Sequence, residues 1–355
     1  MSVLSRYIIR EVLGYTALVM AVLLVLTGLY LFLTQTDELG IGRYGVFDAL
    51  VVVVCRLPQQ AFTLFPVTAL MGSLLALGSL ARSSELIVMR VSGTSVFRLA
   101  GWVAVAGAIL TVVTWLTGDY LAPPAAQFAN QYKALAKTDQ LPAKDDQPIW
   151  AKDGNVFVSV RRQSGTNGLG GIQVIRFDDQ HRLLSVGHAD TANLNDSQIW
   201  QLHDYSETRF EADRSVASQA SVAELKTRLS GEFLGSAVAD PETLTGHELL
   251  RYVNYLEANQ LESDEYRTAF WTRVARTCTL LVIVMLAVPF SFGPMRSSGM
   301  GARIVIGILV GATFFLLAKL LGNARTVYAI DPLVVAWGPT GVLALTTGIA
   351  LSRVR

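Results

Sequence analysis

Residues 82–93 read Arg-Ser-Ser-Glu-Leu-Ile-Val-Met-Arg-Val-Ser-Gly, a short charged segment between two long apolar runs. Ser83 or Ser84 can begin a helix by accepting a hydrogen bond from a free backbone N–H. Gly93 can end that helix, because glycine readily adopts the left-handed conformation found at helix C-termini. The segment therefore predicts a short helix over about residues 83–93, lying against a membrane between two spanning helices.

The predicted short helix carries a candidate docking face. Leu86 lies three residues before Met89 and Glu85 lies four before it, so the three side chains share one face. An apolar side chain beside a carboxylate is what a membrane subunit needs to engage a soluble motor protein. Glu85, Leu86, Met89 and Arg90 are therefore the candidate coupling residues. The alternative, a helical connector that contacts no partner, fits this loop equally well when the loop is taken alone.

The composition indicates a membrane protein. The chain has 355 residues, of which 52% are hydrophobic and 16% charged, whereas soluble domains average about 25% charged residues. A spanning helix needs about 20 apolar residues. Phe47–Cys55 is too short, and it is either an outward extension of the second span or a separate helix in the interface. Six segments qualify: Val12–Leu33, Gln60–Ala81, Phe97–Gly118, Val274–Phe292, Ile304–Leu321 and Leu333–Leu351.

The basic residues of the short loops predict the orientation, because Lys and Arg are retained in the cytosol. Only Arg43 and Arg325 fall in short loops on one side. Both termini are therefore expected in the cytosol, and Tyr120–Thr268 outside it. The opposite, cytosolic side has nine arginines: Arg6, Arg10, Arg82, Arg90, Arg98, Arg296, Arg303, Arg353 and Arg355.

Several chemistries find no support in the sequence. The net charge is +1 and no basic run could follow phosphates, so nucleic acid is not an expected partner. The two cysteines, Cys55 and Cys278, lie in or beside apolar segments, which argues against a disulfide scaffold or a cysteine-based zinc site. The sequence has no Gly-x4-Gly-Lys-Ser/Thr motif for ATP phosphates. We expect no metal, no other cofactor and no catalytic residues on this chain.

The region after residue 148 has a different pattern. From Ile149 the long apolar runs give way to short alternating ones, a period of two that is typical of strands. The spacing of the turns favours an all-β antiparallel sandwich or open jelly roll, followed by a helix at Thr245–Gln260. Strands are expected near Trp150–Asp153, Val156–Arg161, Ile172–Phe177, Arg182–Ala189, Gln198–His203, Ser206–Phe210 and Ser215–Leu225.

Alternation in the second strand predicts its two faces. Val156, Val158 and Val160 are expected to point inward, and Ser159 is expected on the opposite, tolerant face. The domain organisation that follows is residues 1–119 with three spans and the short helix, 120–268 with the exported β-domain and its connecting helix, and 269–355 with three further spans.

Motifs along nearly the whole chain resemble one family, the LptF/LptG permeases of the lipopolysaccharide-export ABC transporter. The last two of the stretches given below are most similar to the LptG branch. Together the five stretches are specific, although each alone would be weak. They are Arg6–Ile8, Phe65–Gly78, Ser84–Gly93, Trp150–Asn155 and Phe292–Arg303.

The resemblance implies a six-helix permease of the bacterial inner membrane with a periplasmic jelly roll between helices 3 and 4. It also implies a pair of LptB-like ATPases that use ATP and magnesium, a sister LptF-like permease, and an LptC-like membrane-anchored β-domain. In such a complex, two permeases form an outward-facing cavity that takes lipopolysaccharide from the outer leaflet. Their β-domains then pass the lipid to a bridge towards the outer membrane.

A ligand with phosphates and acyl chains needs cations above an apolar cavity. Ionisable residues inside membranes are costly and usually functional, which singles out Arg56 and Lys319. The alternative for both is snorkelling towards headgroups. Lys133 and Lys137 lie four residues apart on one helical face and could meet the sugar-phosphate region. Phe65 is the apolar candidate.

The resemblance is weakest at the outer end of the first helix. Members of the family often have lysines there, whereas this chain has Asp37 and Glu38. We therefore expect other cations to compensate, and Arg43, Arg56 and Arg325 are the candidates.

Gly307 and Gly311 form a Gly-x3-Gly step in the fifth span, which lets another helix approach closely. The resemblance implies a gate between this helix and the first helix of the sister permease. Packing within the chain is an equal alternative.

Two other classes of protein are open: a membrane-bound enzyme acting on envelope lipids, and a receptor with an exported sensor domain. The enzyme would need a converging acid, base or metal set, and the receptor would need a cytosolic output domain.

Overall fold

The computed structural model describes residues 3–137, 148–164, 168–195, 199–211, 213–227, 241–292, 300–328 and 330–353. The chain divides into two compact units. One unit combines Met1–Gln140 with Asp264–Arg355 and contains the long apolar helices. The other unit is Leu141–Ser263 and contains a β-sheet.

Among the described residues of the first unit, six helical stretches are long and apolar enough to cross a membrane, which confirms the six predicted spans. A π-helical turn, Thr117–Leu121, joins two of the helices without a break. Of the helices in the described ranges, all but α6 belong to this unit. In chain order they are α1 (Val3–Gln35), α2 (Val46–Arg82), α3 (Glu85–Val91), α4 (Val96–Leu116), α5 (Ala122–Lys137), α6 (Gly246–Ala258), α7 (Asp264–Phe292), α8 (Met300–Tyr328) and α9 (Pro332–Arg353).

Helix α2 is the centre of the helical unit. It runs without a break from Val46 to Arg82, so Phe47–Cys55 is the outward extension of the second span and not a separate helix. Its largely buried surface packs against α1, α5, α7 and α8. Gly72 lets α1 approach closely, because a Cβ atom at this position would collide with the backbone of Thr16.

Helix α5 packs with the spans. The sequence places the start of the exported domain at residue 120, whereas α5 lies on α2 and belongs to the helical unit. Tyr44, Ala49, Val52 and Ala129 form a small buried core at this contact. The sheet unit accordingly begins after α5, because the apolar side of this helix is covered by its own spans.

The described strands of the second unit form a six-stranded antiparallel sheet in which each strand pairs with its neighbour along the chain. This order is a meander. A jelly roll arranges its strands in two sheets with crossovers, and the described strands form one sheet without them. The antiparallel sheet is confirmed, and the jelly roll stays a prediction. The strands are β1 (Ile149–Asp153), β2 (Val156–Ser164), β3 (Gly168–Phe177), β4 (Leu183–Asn195), β5 (Ile199–Phe210) and β6 (Ser215–Lys226).

The buried residues of β5 do not follow one alternation. Leu202 and Tyr205 belong to the same buried core although they lie three residues apart, and strict alternation would place them on opposite faces. Asp204 between them has a positive φ of 53°, and Gly171 in β3 has a φ of 61°. We call the line across the sheet through these two residues the offset line. The offset line explains why alternation predicts two strands, Gln198–His203 and Ser206–Phe210, where the structure has the single strand β5.

The predicted inner face of β2 is partly confirmed. Val158 and Val160 are fully buried in the core of the sheet, and Val156 packs against that core. Ser159 is only 2% exposed, so the tolerant outer position that alternation predicted there is wrong. Both faces of the sheet are covered at this point in β2.

Helix α6 covers the edge strand β1. Thr245 and Glu248 form a capping box at its start, which confirms the helix predicted after the strands. The Tyr255 hydroxyl donates a 2.5 Å hydrogen bond to the carbonyl of Lys152 and accepts one of 2.9 Å from the N–H of that residue. Burial raises the pKa of Tyr255, so its hydroxyl stays protonated. Because both backbone groups of Lys152 are occupied, another strand cannot pair there.

Candidate functional site

The short helix α3 forms where the sequence predicts it. Ser84 precedes it with a left-handed φ of 63°, and Gly93 follows it with a φ of 88°. The Ser84 hydroxyl makes no capping hydrogen bond. Instead, the Ser83 hydroxyl donates a 2.8 Å hydrogen bond to the Glu85 carboxylate, and Tyr7 of α1 lies beside the same group. Glu85 is thus held within its own turn.

The apolar docking candidates point into the helical unit and not outward. Leu86 and Met89 are 2% and 6% exposed and belong to the main core of the helical unit. They share one face, as predicted, but that face holds α3 against the spans, so the expectation that they fill a groove on a partner is wrong. The outward face of α3 presents Val88, Arg90 and Val91.

The two candidate lysines of α5 have an acidic partner. Lys133 and Lys137 both form ion pairs with Glu38, and the Lys137 ammonium lies 2.8 Å from that carboxylate. Lys137 also lies 5.6 Å from the centre of the Tyr44 ring. Glu38, the residue that departs from the lysines of the family, therefore holds both lysines in place.

Arg56 and Arg43 lie near the same helix. The Arg56 guanidinium donates a 3.1 Å hydrogen bond to the Asn130 side chain of α5. Two residues further along α5, the Tyr132 hydroxyl donates a 2.6 Å hydrogen bond to Asp48 of α2. Arg43 is exposed, and its backbone N–H donates to the carbonyl of Ala136. The structure brings Arg43, Arg56, Lys133 and Lys137 together around α5.

The other candidates lie elsewhere. Phe65 is buried in the main helical core, so it is not available to a ligand. Lys319 is exposed on α8, apart from the residues around α5. Arg325 falls within α8, and its side chain lies outside the described residues.

Gly307 and Gly311 pack within the chain. A Cβ atom at Gly307 would lie 2.8 Å from the Met71 side chain, and one at Gly311 would lie 3.1 Å from Val67. Both contacts are with α2 of the same chain. The intrachain alternative is therefore the one that the structure supports.

The sequence reasoning missed an arginine pair in α7. The Arg273 guanidinium lies 3.1 Å from the Asp119 carboxylate in the π-helical turn. Arg273 and Arg276 also lie 5.7 and 5.4 Å from the centre of the Phe62 ring of α2. The available signal was two arginines three residues apart at the edge of an apolar span, with an acid at the end of another.

A second cluster that the sequence reasoning missed lies on the sheet. Arg176 forms a 2.6 Å ion pair with Glu207, and Arg209 lies 3.4 Å from the same carboxylate. Burial alone would raise the pKa of Glu207, but the Ser185 hydroxyl and the two guanidiniums together hold it below its ordinary value. The carboxylate is therefore charged at neutral pH, on the same side of the sheet as the apolar core.

No group of three or more His, Cys, Asp and Glu side chains in the described ranges could hold a metal ion.

Six apolar spans and a separate antiparallel sheet define a class: multi-pass membrane subunits that carry a β-domain. The chain belongs to the LptF/LptG family of lipopolysaccharide export system permeases, whose model matches residues 6–353.

Two individual proteins of this family are similar in sequence to the chain along nearly its whole length. The chain is 33% identical over 353 residues to the lipopolysaccharide export system permease protein LptG of Escherichia coli K12, covering 99% of this chain and 98% of that protein. It is 31% identical to LptG of Haemophilus influenzae, covering 99% of both chains. The protein is a non-catalytic permease subunit of the lipopolysaccharide transport system, multi-pass in the inner membrane, and it works with other components of that system.

Proposed function

We propose that this chain, paired with a sister LptF-like permease, takes lipopolysaccharide from the outer leaflet of the inner membrane and delivers it to its own β-domain. One observation carries the proposal: a single chain joins six apolar spans to a sheet with an extended apolar core. From this sheet the lipid passes to an LptC-like β-domain and a bridge towards the outer membrane. A rolled, jelly-roll form of the sheet would shield the acyl chains during transfer.

The distribution of arginines supports the orientation. Nine arginines of the termini and short loops fall on one side of the spans and only two on the other, and basic loops remain in the cytosol. Both termini and α3 are therefore cytosolic, and the sheet unit is periplasmic.

Energy for transport comes from a pair of LptB-like ATPases, which bind ATP and magnesium. The sequence of this chain has no P-loop of its own. Helix α3 is the docking element, because Val88 and Val91 are 66% and 85% exposed beside Arg90. Leu86 and Met89 anchor this helix from below, and Glu85 fixes its first turn.

The cations around α5 are the proposed contacts for the phosphates of the lipid. Lys133 and Lys137 would exchange Glu38 for a phosphate, and Arg43 and Arg56 flank them. Such an exchange keeps a charge-assisted bond on each lysine. Lys319 and Arg325, on α8, would contact the lipid from another helix.

Reconstitution tests the proposal. The chain, its sister permease, the ATPase pair and the LptC-like protein are placed in vesicles that contain lipopolysaccharide, and ATP-dependent transfer of the lipid to a soluble acceptor is measured. We expect transfer only when this chain is present. A complex that lacks the chain and still transfers lipid would contradict the proposal. Glu85→Lys in the full complex removes the carboxylate that orders the first turn of α3, so we expect less co-purified ATPase or less ATP-dependent transfer.

A further inference from the structure

The register of the sheet places a polar row at one end of its apolar side. Residues directly opposite each other in an antiparallel pair lie on the same face. Arg176 is opposite Ser185, and Ser185 is opposite Arg209. The row continues through Val156 to Asp153 on β1 at one side and ends at Val216 on β6 at the other. We call these six positions the end row.

The next rows on this face are mostly apolar. Adjacent to the end row, Val174 lies opposite Gly187, and Gly187 lies opposite Glu207. The ring of Tyr205 fills the space at Gly187, where a Cβ atom would lie 2.5 Å from it. Beyond this point lies the apolar core. The charged groups of this face thus gather at one end of an otherwise apolar surface.

Arg176 and Arg209 share one carboxylate, that of Glu207. Asp153, the acid of the end row, lies two strands from Arg176 and accepts a hydrogen bond from Thr227. Glu207 is one carboxylate, with its side chain 9% exposed, between two guanidiniums. Arg176 takes the short contact of 2.6 Å. Arg209 lies 3.4 Å from the carboxylate and its side chain is 64% exposed. A charge-assisted hydrogen bond is normally about 2.7–2.9 Å long, so Glu207 orients Arg209 without satisfying its five N–H donors.

We propose that Arg209 binds a phosphate group of an amphipathic lipid whose acyl chains lie on the apolar side of the same sheet. This inference rests on the proposed function, because it assumes that the lipid reaches the sheet. Arg176 and Glu207 are positioning residues: their short ion pair holds the carboxylate that aims Arg209. A planar guanidinium can bind two phosphate oxygens at once, which a single lysine cannot do with the same geometry.

The experiment uses the full-length protein in lipid nanodiscs, with a photo-crosslinking amino acid at one of two positions. Ser218, opposite Glu207 on β6, reports on the phosphate. Ala223, opposite Leu202 and partly buried at the apolar core, reports on the acyl chains. The probes are diphosphorylated lipid A, the same lipid after removal of its phosphates, and inorganic phosphate as a competitor.

We expect Arg209→Gln to raise the concentration of diphosphorylated lipid A needed for half-maximal capture at Ser218 by about tenfold, the loss of one charge-assisted hydrogen bond. Arg209→Lys should recover part of it. Arg182→Gln is the matched control, since Arg182 forms a 2.8 Å ion pair with Asp178 in a turn at the same end of the sheet. It should have no effect. Capture of the dephosphorylated lipid should not depend on Arg209.

Three results would overturn the inference. Equal capture by the wild-type protein of both lipids at Ser218 would show that the phosphate is not bound. Equal effects of Arg209→Gln and Arg182→Gln would show a general effect of charge. Competition by inorganic phosphate as strong as that by the lipid would assign the site to free phosphate. Capture at Ala223 distinguishes a failure of this inference from a failure of the proposed function. If neither lipid is captured at Ala223, the lipid does not reach the sheet, and the proposed function fails.

Discussion

The Arg273 guanidinium lies 3.1 Å from the Asp119 carboxylate, and the two side chains are 9% and 21% exposed. One ion pair thereby joins α7 to the π-helical turn between α4 and α5. The Phe62 ring of α2 lies against Arg273 as well. Three spanning stretches therefore meet at one buried guanidinium, at the point where α4 passes into α5.

The first prediction concerns this ion pair. Arg273→Gln removes the guanidinium that pairs with a largely buried carboxylate, and breaking a buried ion pair typically costs about 3–5 kcal/mol. We expect a clear drop in the unfolding temperature in detergent, with part of the loss recovered by adding Asp119→Asn. Arg276→Gln is the comparison, because Arg276 lies against the same Phe62 ring, a contact worth about 0.5–1 kcal/mol. Equal drops for the two arginine variants would show that the ion pair is not special.

A second prediction concerns the contact between α1 and α2. Gly72→Ala should separate the two helices, because the new methyl group would collide with the backbone of Thr16, which cannot rotate away. Overpacking of this kind costs about 1–3 kcal/mol. Gly14→Ala is the matched control, since a Cβ atom there has no neighbour within 4 Å. Unfolding temperatures of the purified protein decide the matter, and a stable Gly72→Ala variant would refute the close contact.

The third prediction separates docking from packing in α3. Val88→Glu places a charge on the exposed face, so we expect lower co-purification of the ATPase with an unchanged unfolding temperature. Leu86→Ala should lower the unfolding temperature and leave the docking face unchanged, because deleting a buried leucine costs about 2–5 kcal/mol of stability. If Val88→Glu retains the full amount of ATPase, the docking face lies elsewhere.

A fourth prediction follows from the pKa of Glu207. This pKa is held below its ordinary value of 4.5 in the folded sheet, so the unfolded chain binds the proton more readily. The stabilisation is complete above the ordinary value and is lost as the pH falls through the lowered one. Hydrogen exchange of the β5 amides, corrected for its intrinsic dependence on pH, should show this loss in the wild-type protein. Glu207→Gln should remove most of it, whereas Glu211→Gln, at an exposed ion pair in a turn, should not.

The fifth prediction concerns the two faces of β2. Val158→Asp and Ser159→Asp should both disrupt the sheet, because both positions are buried. Val222→Asp is the matched control on β6, where the valine is 51% exposed. Limited proteolysis of the full-length protein reports on the folding of the sheet unit. A protease-resistant Ser159→Asp variant would mean that the outer face is open at β2.

The sequence alone predicted the spans and the sheet because both rest on strong local patterns. Twenty apolar residues mark a spanning helix whatever its neighbours are, and the alternation around Val158 marks a strand. Helix α5 could not be predicted in the same way. It is moderately polar, and only its contact with α2 shows which unit it belongs to.

The site was predicted less well, for a physical reason. Periodicity showed that Leu86 and Met89 share a face, but the direction of that face depends on the packing of other helices. The spacing of Lys133 and Lys137 was informative too, yet their partner Glu38 is almost a hundred residues away in the chain. Arg209 and Glu207 gave no signal, because only the pairing of β3 with β4 and of β4 with β5 brings Arg176 beside them.

The offset line makes the lengths of the strands depend on one another. In β4, Ala189 and Ala192 are both buried and the two residues between them are exposed. Leu202 and Tyr205 show the same three-residue spacing of buried residues in β5. The pairing of β4 with β5 keeps one register across this line. Deleting Asp204 alone would therefore slip half of β5 by one position against both neighbours. Relatives whose sheet lacks the offset line should lack one residue in each of several adjacent strands. In an alignment, the gaps in these strands would therefore occur together.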